Sequence, residues 1–267
     1  MNLSDVKMVV ADMDGTLLNS KHEVSSLFFR QFEELKKKNV LFAAASGRQY
    51  NSIAEKLYPI RNEIIIIAEN GGFAMQKDRE LLSTPLESNS KNSILDILEQ
   101  IEGAHPVLCS KQNAYIHGES SKFITTLREY YTKFEVIEDL KEFDREVMKI
   151  AVYHYGGSEK HIYPVVKHLE AKFKVKVSGE NWVDISHLNA HKGFALKKIQ
   201  ERENISPSET MVFGDYNNDL EMLALAKYSF AMSNAHPNVL EAANYQTLSN
   251  DNFGVEQILE KLIKAKA

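Results

Sequence analysis

Two carboxylates two residues apart, Asp12 and Asp14, follow directly on the apolar run Lys7-Met-Val-Val-Ala11, with Gly15 and Thr16 at the turn beyond them. Open α/β sheets bind their ligands outside the carboxyl ends of the strands. Two acids at such a place repel each other and coexist through a cation or a shared proton. The pair therefore suggests a metal-assisted nucleophile with an acid/base partner. Three further segments carry chemistry suited to a phosphate. Ser46-Gly47-Arg48 follows a second apolar run, and a hydroxyl with a glycine N–H at a helix start suits an anion. Lys192 opens a helix in His191-Lys192-Gly193, where its charge adds to the helix dipole. Gly214-Asp215-Tyr216-Asn217-Asn218-Asp219 follows a fourth apolar run and brings acids and amides to the same edge, as a hard cation requires. Each segment alone has a plainer reading as a solvated turn or a helix cap. All four stand at strand ends or helix starts, and together they favour the chemical reading.

The elements that must position these residues alternate. Residues 7–11, 40–45 and 64–68 read as continuous apolar strands, separated by helices over 24–38, where Leu27, Phe28, Phe32 and Leu35 recur at helical spacing, and 51–57. Such strands between helices imply a parallel sheet buried on both faces. The middle reads differently. Strands such as 148–154 and 173–177 alternate apolar and polar residues, which predicts antiparallel pairing with one solvated face. Helices are expected at 90–101, 121–132 and 158–172. The last third returns to the first pattern, with helices at 191–203, 217–226, 238–243 and 254–264 and strands at 210–213 and 228–232. The reading is therefore an α/β fold. A doubly wound, mainly parallel, Rossmann-like core over 1–81 and 187–267 is interrupted by an inserted α+β domain over 82–186.

Composition narrows the class. A chain of 267 residues, 43% hydrophobic, buries a substantial core. A net charge of −5 with mixed signs lacks the basic footprint that nucleic acid demands. Cys109 is the one cysteine, so no disulfide forms within the chain, which suits a reducing cytoplasm. Neither a signal-peptide pattern nor an apolar run of membrane-spanning length is read in the sequence, so no membrane partner is expected. The chain is expected as a monomer or small homo-oligomer. Cys109 and Trp182 read as core residues of the insert.

On the four segments the chain resembles the haloacid dehalogenase-like phosphatase superfamily. It is most similar to the Cof-type branch, which carries a large α/β cap (type IIB) between the second and third motifs. Asp12-x-Asp-Gly-Thr-Leu17 resembles the first motif, Ser46-Gly-Arg48 the second, Lys192-Gly193 the third and Gly214-Asp215-x-x-Asn218-Asp219 the fourth. Asn70-Gly71, Met232-x-Asn-Ala235 and Ser249-Asn-Asp-x-x-Gly-Val255 are similar to further family pieces. Tyr216 departs from the small residue common there.

The resemblance implies a Mg²⁺-dependent phosphatase of small phosphorylated metabolites acting through an aspartyl-phosphate. Sugar phosphates are the first expectation, with flavin mononucleotide and pyridoxal phosphate as alternatives. Asp12 would be the nucleophile and Asp14 the general acid/base. The Met13 amide, Ser46, Gly47, Lys192 and Asn218 would hold the phosphoryl oxygens. Asp12, the Asp14 carbonyl and Asp215 would hold Mg²⁺. Asp219 and Thr16 would support them, and Arg48 and the Asn70-Gly71 turn would meet substrate or cap. A phosphomannomutase-like phosphotransferase is the nearest rival, but no arginine cluster marks a second phosphate site in the insert. A phospho-aspartate signalling module is the non-enzymatic alternative, for which Asp14 and the insert have no purpose.

Overall fold

The computed structural model describes residues 2–266 except 112, 119 and 132. In chain order, β1 (Met8–Asp12), α1 (Ser26–Lys37), β2 (Leu41–Ala45), α2 (Tyr50–Lys56), β3 (Ile65–Ala68), β4 (Phe73–Gln76) and β5 (Arg79–Ser83) come first. The middle holds α3 (Ser88–Leu98), β6 (Ala104–Ser110), β7 (Ala114–His117), α4 (Ser121–Leu127), β8 (Phe134–Ile137) and β9 (Val147–His154). It continues with α5 (Ser158–His161), α6 (Tyr163–Val166), β10 (Phe173–Val177) and β11 (Trp182–His187). Then follow α7 (Lys192–Glu203), β12 (Thr210–Gly214), α8 (Leu220–Leu223), β13 (Tyr228–Ala231), α9 (Pro237–Ala242), β14 (Tyr245–Gln246) and α10 (Gly254–Ala265). The chain divides into two compact units, Met1–Leu82 with His191–Ala267, and Ser83–Ala190.

The first sheet has the order β14-β13-β12-β1-β2-β3-β4-β5. Its strands from β14 to β3 are parallel, and β4 returns antiparallel to β3. β1 lies between β12 and β2, with Met8 opposite both Thr210 and Leu41. Every residue of β1 and β12 is buried, which is why both read as unbroken apolar runs. α1 starts on Ser25, whose hydroxyl accepts the Phe28 N–H at 3.0 Å. It buries Phe28, Phe32 and Leu35, and Lys36 and Lys37 in its last turn suit the helix dipole. The Gln31 amide donates to the Glu256 carbonyl at 3.0 Å, tying α1 to α10. No helix among the described residues is long and apolar enough to cross a membrane.

The second sheet, in the middle of the chain, has the order β10-β11-β9-β6-β7-β8. Its pairs are antiparallel except β7 with β8, which run parallel, a departure from the all-antiparallel expectation. The solvated face expected of β9 is also absent: only Lys149 and His154 along it are partly exposed. Ile94, Leu95 and Leu98 of α3 and Val166 of α6 pack with Ile150 and Val152, and Phe123 and Leu127 of α4 with Ala151 and Tyr153. Helices thus cover both faces of its centre, and the edge strand β10 is partly exposed along its whole length, without alternation. Cys109 and Trp182 lie in the core under α4, as expected. The helix expected over 158–172 breaks into α5, α6 and a 3-10 turn. Pro164 at the start of α6 has no N–H to continue the ladder. The helix expected over 121–132 stops at Leu127, and residue 132 lies outside the described residues.

Candidate active site

The site of the first unit grows out of the carboxyl ends of β1, β2, β3 and β12. β1 delivers Asp12 buried, and the chain then turns tightly. The Met13 carbonyl accepts the Leu18 N–H at 2.8 Å and the Asp12 carbonyl the Leu17 N–H at 3.2 Å. Gly15 (φ 78°) sits where a Cβ would collide with the Asp215 carboxylate. α7 begins at Lys192, with the His191 ring capping it by accepting the Phe194 N–H at 3.2 Å. Lys192 is fully buried; its Nζ donates to Asp12 Oδ1 and, at 2.7 Å, to Asp219 Oδ1. The other oxygen of Asp219 accepts the N–H groups of Asp215 (2.9 Å) and Tyr216 (3.1 Å). These bonds cap the start of a 3-10 turn, Asn217–Asp219, which stands before α8 where the helix is expected to begin. Thr16 Oγ1 donates to Asp215 Oδ1 at 3.2 Å. Tyr216 is half exposed, edge-on to the His236 ring.

A second group gathers around Asp14. Arg48 grips its carboxylate with Nε at 2.7 Å and a terminal nitrogen at 2.6 Å, a bidentate fork. His22 stands 3.5 Å from the same carboxylate. Nothing in the sequence pointed to His22, which lies in an irregular loop beyond the first motif. Ser46 is buried, and its hydroxyl accepts the Arg48 N–H at 3.1 Å. Asn218 donates through Nδ2 to Asn70 Oδ1 at 3.0 Å, and Gly47 and Gly71 lie in the same neighbourhood. The structure thus brings Asp12, Thr16, Lys192, Asp215 and Asp219 into one cluster. Asp14 with Arg48, and Asn70 with Asn218, form two further pairs. The two C-terminal pieces clamp the first-motif loop: Asn234 donates to the Gly15 carbonyl and Asn250 to the Leu18 carbonyl, each at 2.8 Å.

Charge in the cluster is unbalanced. Burial, above all, pushes the Asp12 carboxyl well above the usual range; the Lys192 charge opposes this, and Asp219 and Asp215 add to it. Burial and then the Asp219 charge raise Asp215 to about 6, against the Thr16 hydrogen bond and Lys192. Burial alone would lower Lys192, but Asp12 and Asp219 outweigh it and hold the ammonium charged. Asp14 behaves oppositely: burial raises it, yet the Arg48 fork and His22 hold it below the ordinary carboxylate range.

The profile of the haloacid dehalogenase-like hydrolases matches residues 9–259. The chain belongs to this family. It is 31% identical over 268 residues to the 5-amino-6-(5-phospho-D-ribitylamino)uracil phosphatase YbjI of Escherichia coli (strain K12), covering 98% of each chain. The crystal structure of SMU.1108c from Streptococcus mutans UA159 is similar at 30% identity with a TM-score of 0.84, over 97% of this chain and 99% of that one. The subclass IIB sugar phosphatase BT4131 shares the fold, with a TM-score of 0.79 at 20% identity over 96% and 98% of the two chains. This haloacid dehalogenase-like hydrolase is accordingly a phosphatase. Its cluster also fits a divalent cation: oxygens of Asp12, Asp215 and Asp219 lie within 4.8 Å of one another. All donors are oxygen, as a hard cation prefers. Asp219 already has both oxygens hydrogen-bonded, which leaves Asp12 and Asp215 as the side chains with capacity to spare.

Proposed function

We propose that this phosphatase is Mg²⁺-dependent, hydrolyses phosphate monoesters of small metabolites and works through an aspartyl-phosphate on Asp12. The observation that carries the reading is Asp12 itself, buried at the end of the central strand against a fully buried lysine and two more carboxylates. An Asp12 oxygen attacks phosphorus, the bond from phosphorus to the leaving oxygen breaks, and Asp14 gives that oxygen its proton. Water then attacks phosphorus, Asp14 takes the water's proton, and the bond to Asp12 breaks to release phosphate. Asp14 paired with Arg48 is in the ionised state that the second step uses; donating in the first step requires it to leave that fork. Lys192, Ser46, Gly47, Asn218 and the Met13 amide hold the phosphoryl oxygens, since positioning and charge stabilisation dominate phosphoryl transfer. Asp219 orients Lys192. Asp12, Asp215 and the Asp14 carbonyl would hold Mg²⁺, which neutralises the repulsion between the carboxylates and an anionic substrate.

For the substrate, sugar phosphates are the reading. The name of the Escherichia coli relative favours a second one, a phosphoribityl compound. The two share a phosphate ester on a polyhydroxylated chain, and flavin mononucleotide carries the same ribityl phosphate. Discrimination among them is assigned to the inserted unit, because the core motifs address only the phosphoryl group. Sustained phosphate release from p-nitrophenyl phosphate with Mg²⁺, followed by a metabolite panel ranked by kcat/KM, tests the reading. Activity undiminished by a strong chelator would remove the metal from it; no release at all would remove the reaction.

A further inference from the structure

Three consecutive residues after β3 lie in the left-handed region: Glu69 (φ 50°), Asn70 (φ 55°) and Gly71 (φ 98°). Glycine adopts it freely and asparagine tolerates it, but glutamate does so at a cost. Such strain persists where the surroundings over-determine it, often beside a functional site. The surroundings here are the segments proposed to hold the phosphoryl group. The Glu69 N–H donates to the Arg48 carbonyl at 3.0 Å and the Asn70 N–H to the Ser46 carbonyl at 2.9 Å. At Gly71 a Cβ would collide with the His191 carbonyl, beside Lys192. The Asn70 side chain lies 3.1 Å from where a Gly47 Cβ would stand, and its Oδ1 accepts from Asn218 Nδ2 at 3.0 Å. One turn therefore touches the second motif, the third and the fourth.

We infer that Asn70 is a positioning residue that aims the Asn218 amide at the phosphoryl group and fixes its spacing from the Ser46-Gly47 loop. Asn218 Nδ2 carries two protons. Asn70 takes one, which fixes the amide plane and leaves the other for a phosphoryl oxygen. Because Asn70 also donates its own N–H to Ser46, the distance between the two phosphate-holding segments depends on this residue. The inference rests on the proposed phosphoryl-holding role of Asn218. It gives Asn70 a role exercised through Asn218 rather than by touching substrate.

The test is a double-mutant cycle in the full chain with Asn70→Gly, Asn218→Ala and the double variant. It is read as kcat/KM on p-nitrophenyl phosphate and, by calorimetry with Mg²⁺, as affinity for inorganic phosphate. Asn70→Gly is compatible with the left-handed backbone and deletes the side chain with its amide; a loss of roughly 10- to 100-fold is expected, the scale of a misplaced binding group. The double variant should then be no worse than Asn218→Ala alone. Asn70→Ala serves as the second variant: it deletes the same amide but strains the backbone, so it should match Asn70→Gly in activity while melting at a lower temperature. Losses that multiply in the double variant, or that follow melting temperature across the Gly and Ala variants, would overturn the inference. The proposed function fails on a different result, a wild-type chain that releases no phosphate, and the calorimetric cycle still decides the role of Asn70.

Discussion

Each unit of the chain buries charge, but on different terms. In the insert, Lys91 is 2% exposed, and its ammonium donates to the carbonyls of Leu140, Lys141 and Phe143 at 3.1, 2.8 and 2.7 Å. Burial lowers its pKa, yet every proton has an acceptor and the group closes a loop. In the same unit, Lys149 of β9 pairs with Asp184 of β11 at 3.2 Å. In the first unit a single lysine faces three carboxylates, and two of those acids are pushed upward. A satisfied buried charge holds structure, whereas a surplus of buried negative charge is a demand for a cation and a site for chemistry.

The contrast breaks most sharply at Asp12. Asp12→Asn keeps the shape but removes the charge of the proposed attacking oxygen; kcat should fall by several orders of magnitude while a cooperative melt persists. Near-wild-type turnover at saturating Mg²⁺ would show that the nucleophile lies elsewhere. Asp14→Asn comes next. The loss should be about 10²- to 10⁴-fold, in both formation and breakdown of the intermediate, and single-turnover kinetics separates the two. Equal burst and steady-state rates to wild type would refute the acid/base role.

Lys91→Met tests the other side of the comparison. It strands two buried carbonyls and one partly buried one and should cost about 2–3 kcal/mol in a denaturant melt, with kcat on p-nitrophenyl phosphate unchanged. A stable variant with altered chemistry would reverse the assignment of roles. The mildest effect concerns protons and metal. Asp215 is held up at about 6, so a proton would compete there with the proposed Mg²⁺ below that pH. Apparent Mg²⁺ affinity should rise as pH climbs through about 6 and then level off, by at most about tenfold per unit for each proton displaced. A flat calorimetric profile from about pH 5 to about pH 8 would contradict the surplus of negative charge.

The sequence made the parallel strands legible because β1, β2, β3 and β12 are buried along nearly their whole length. Candidate site residues were legible for the same reason, since parallel strands put such residues at one edge and Asp12, Ser46 and Asp215 each come just after an apolar run. The two-residue strand β14 and the antiparallel return of β4 left no periodic signal. In the insert, alternation suggested a wet face, but helix cover depends on chain far away in sequence. The fork of Arg48 on Asp14, across 34 residues, is a matter of rotamer and distance that spacing does not encode. Asn70 was visible as a residue, but its partner was not, because Asn218 lies 148 positions further on.

One consequence follows from the strand order. β1 completes its pairing only when β12 arrives about two hundred residues later, and Lys192 reaches Asp12 across 180 positions. At synthesis rates of about 5–20 residues per second, a growing chain carries Asp12 for roughly 10 to 40 s before that lysine exists. In the meantime β1 has β2 on one side and lacks its β12 neighbour on the other. Prematurely terminated chains should therefore be both inert and prone to strand-edge association, whereas the finished chain acquires its reactivity and its protected edges in the same late event.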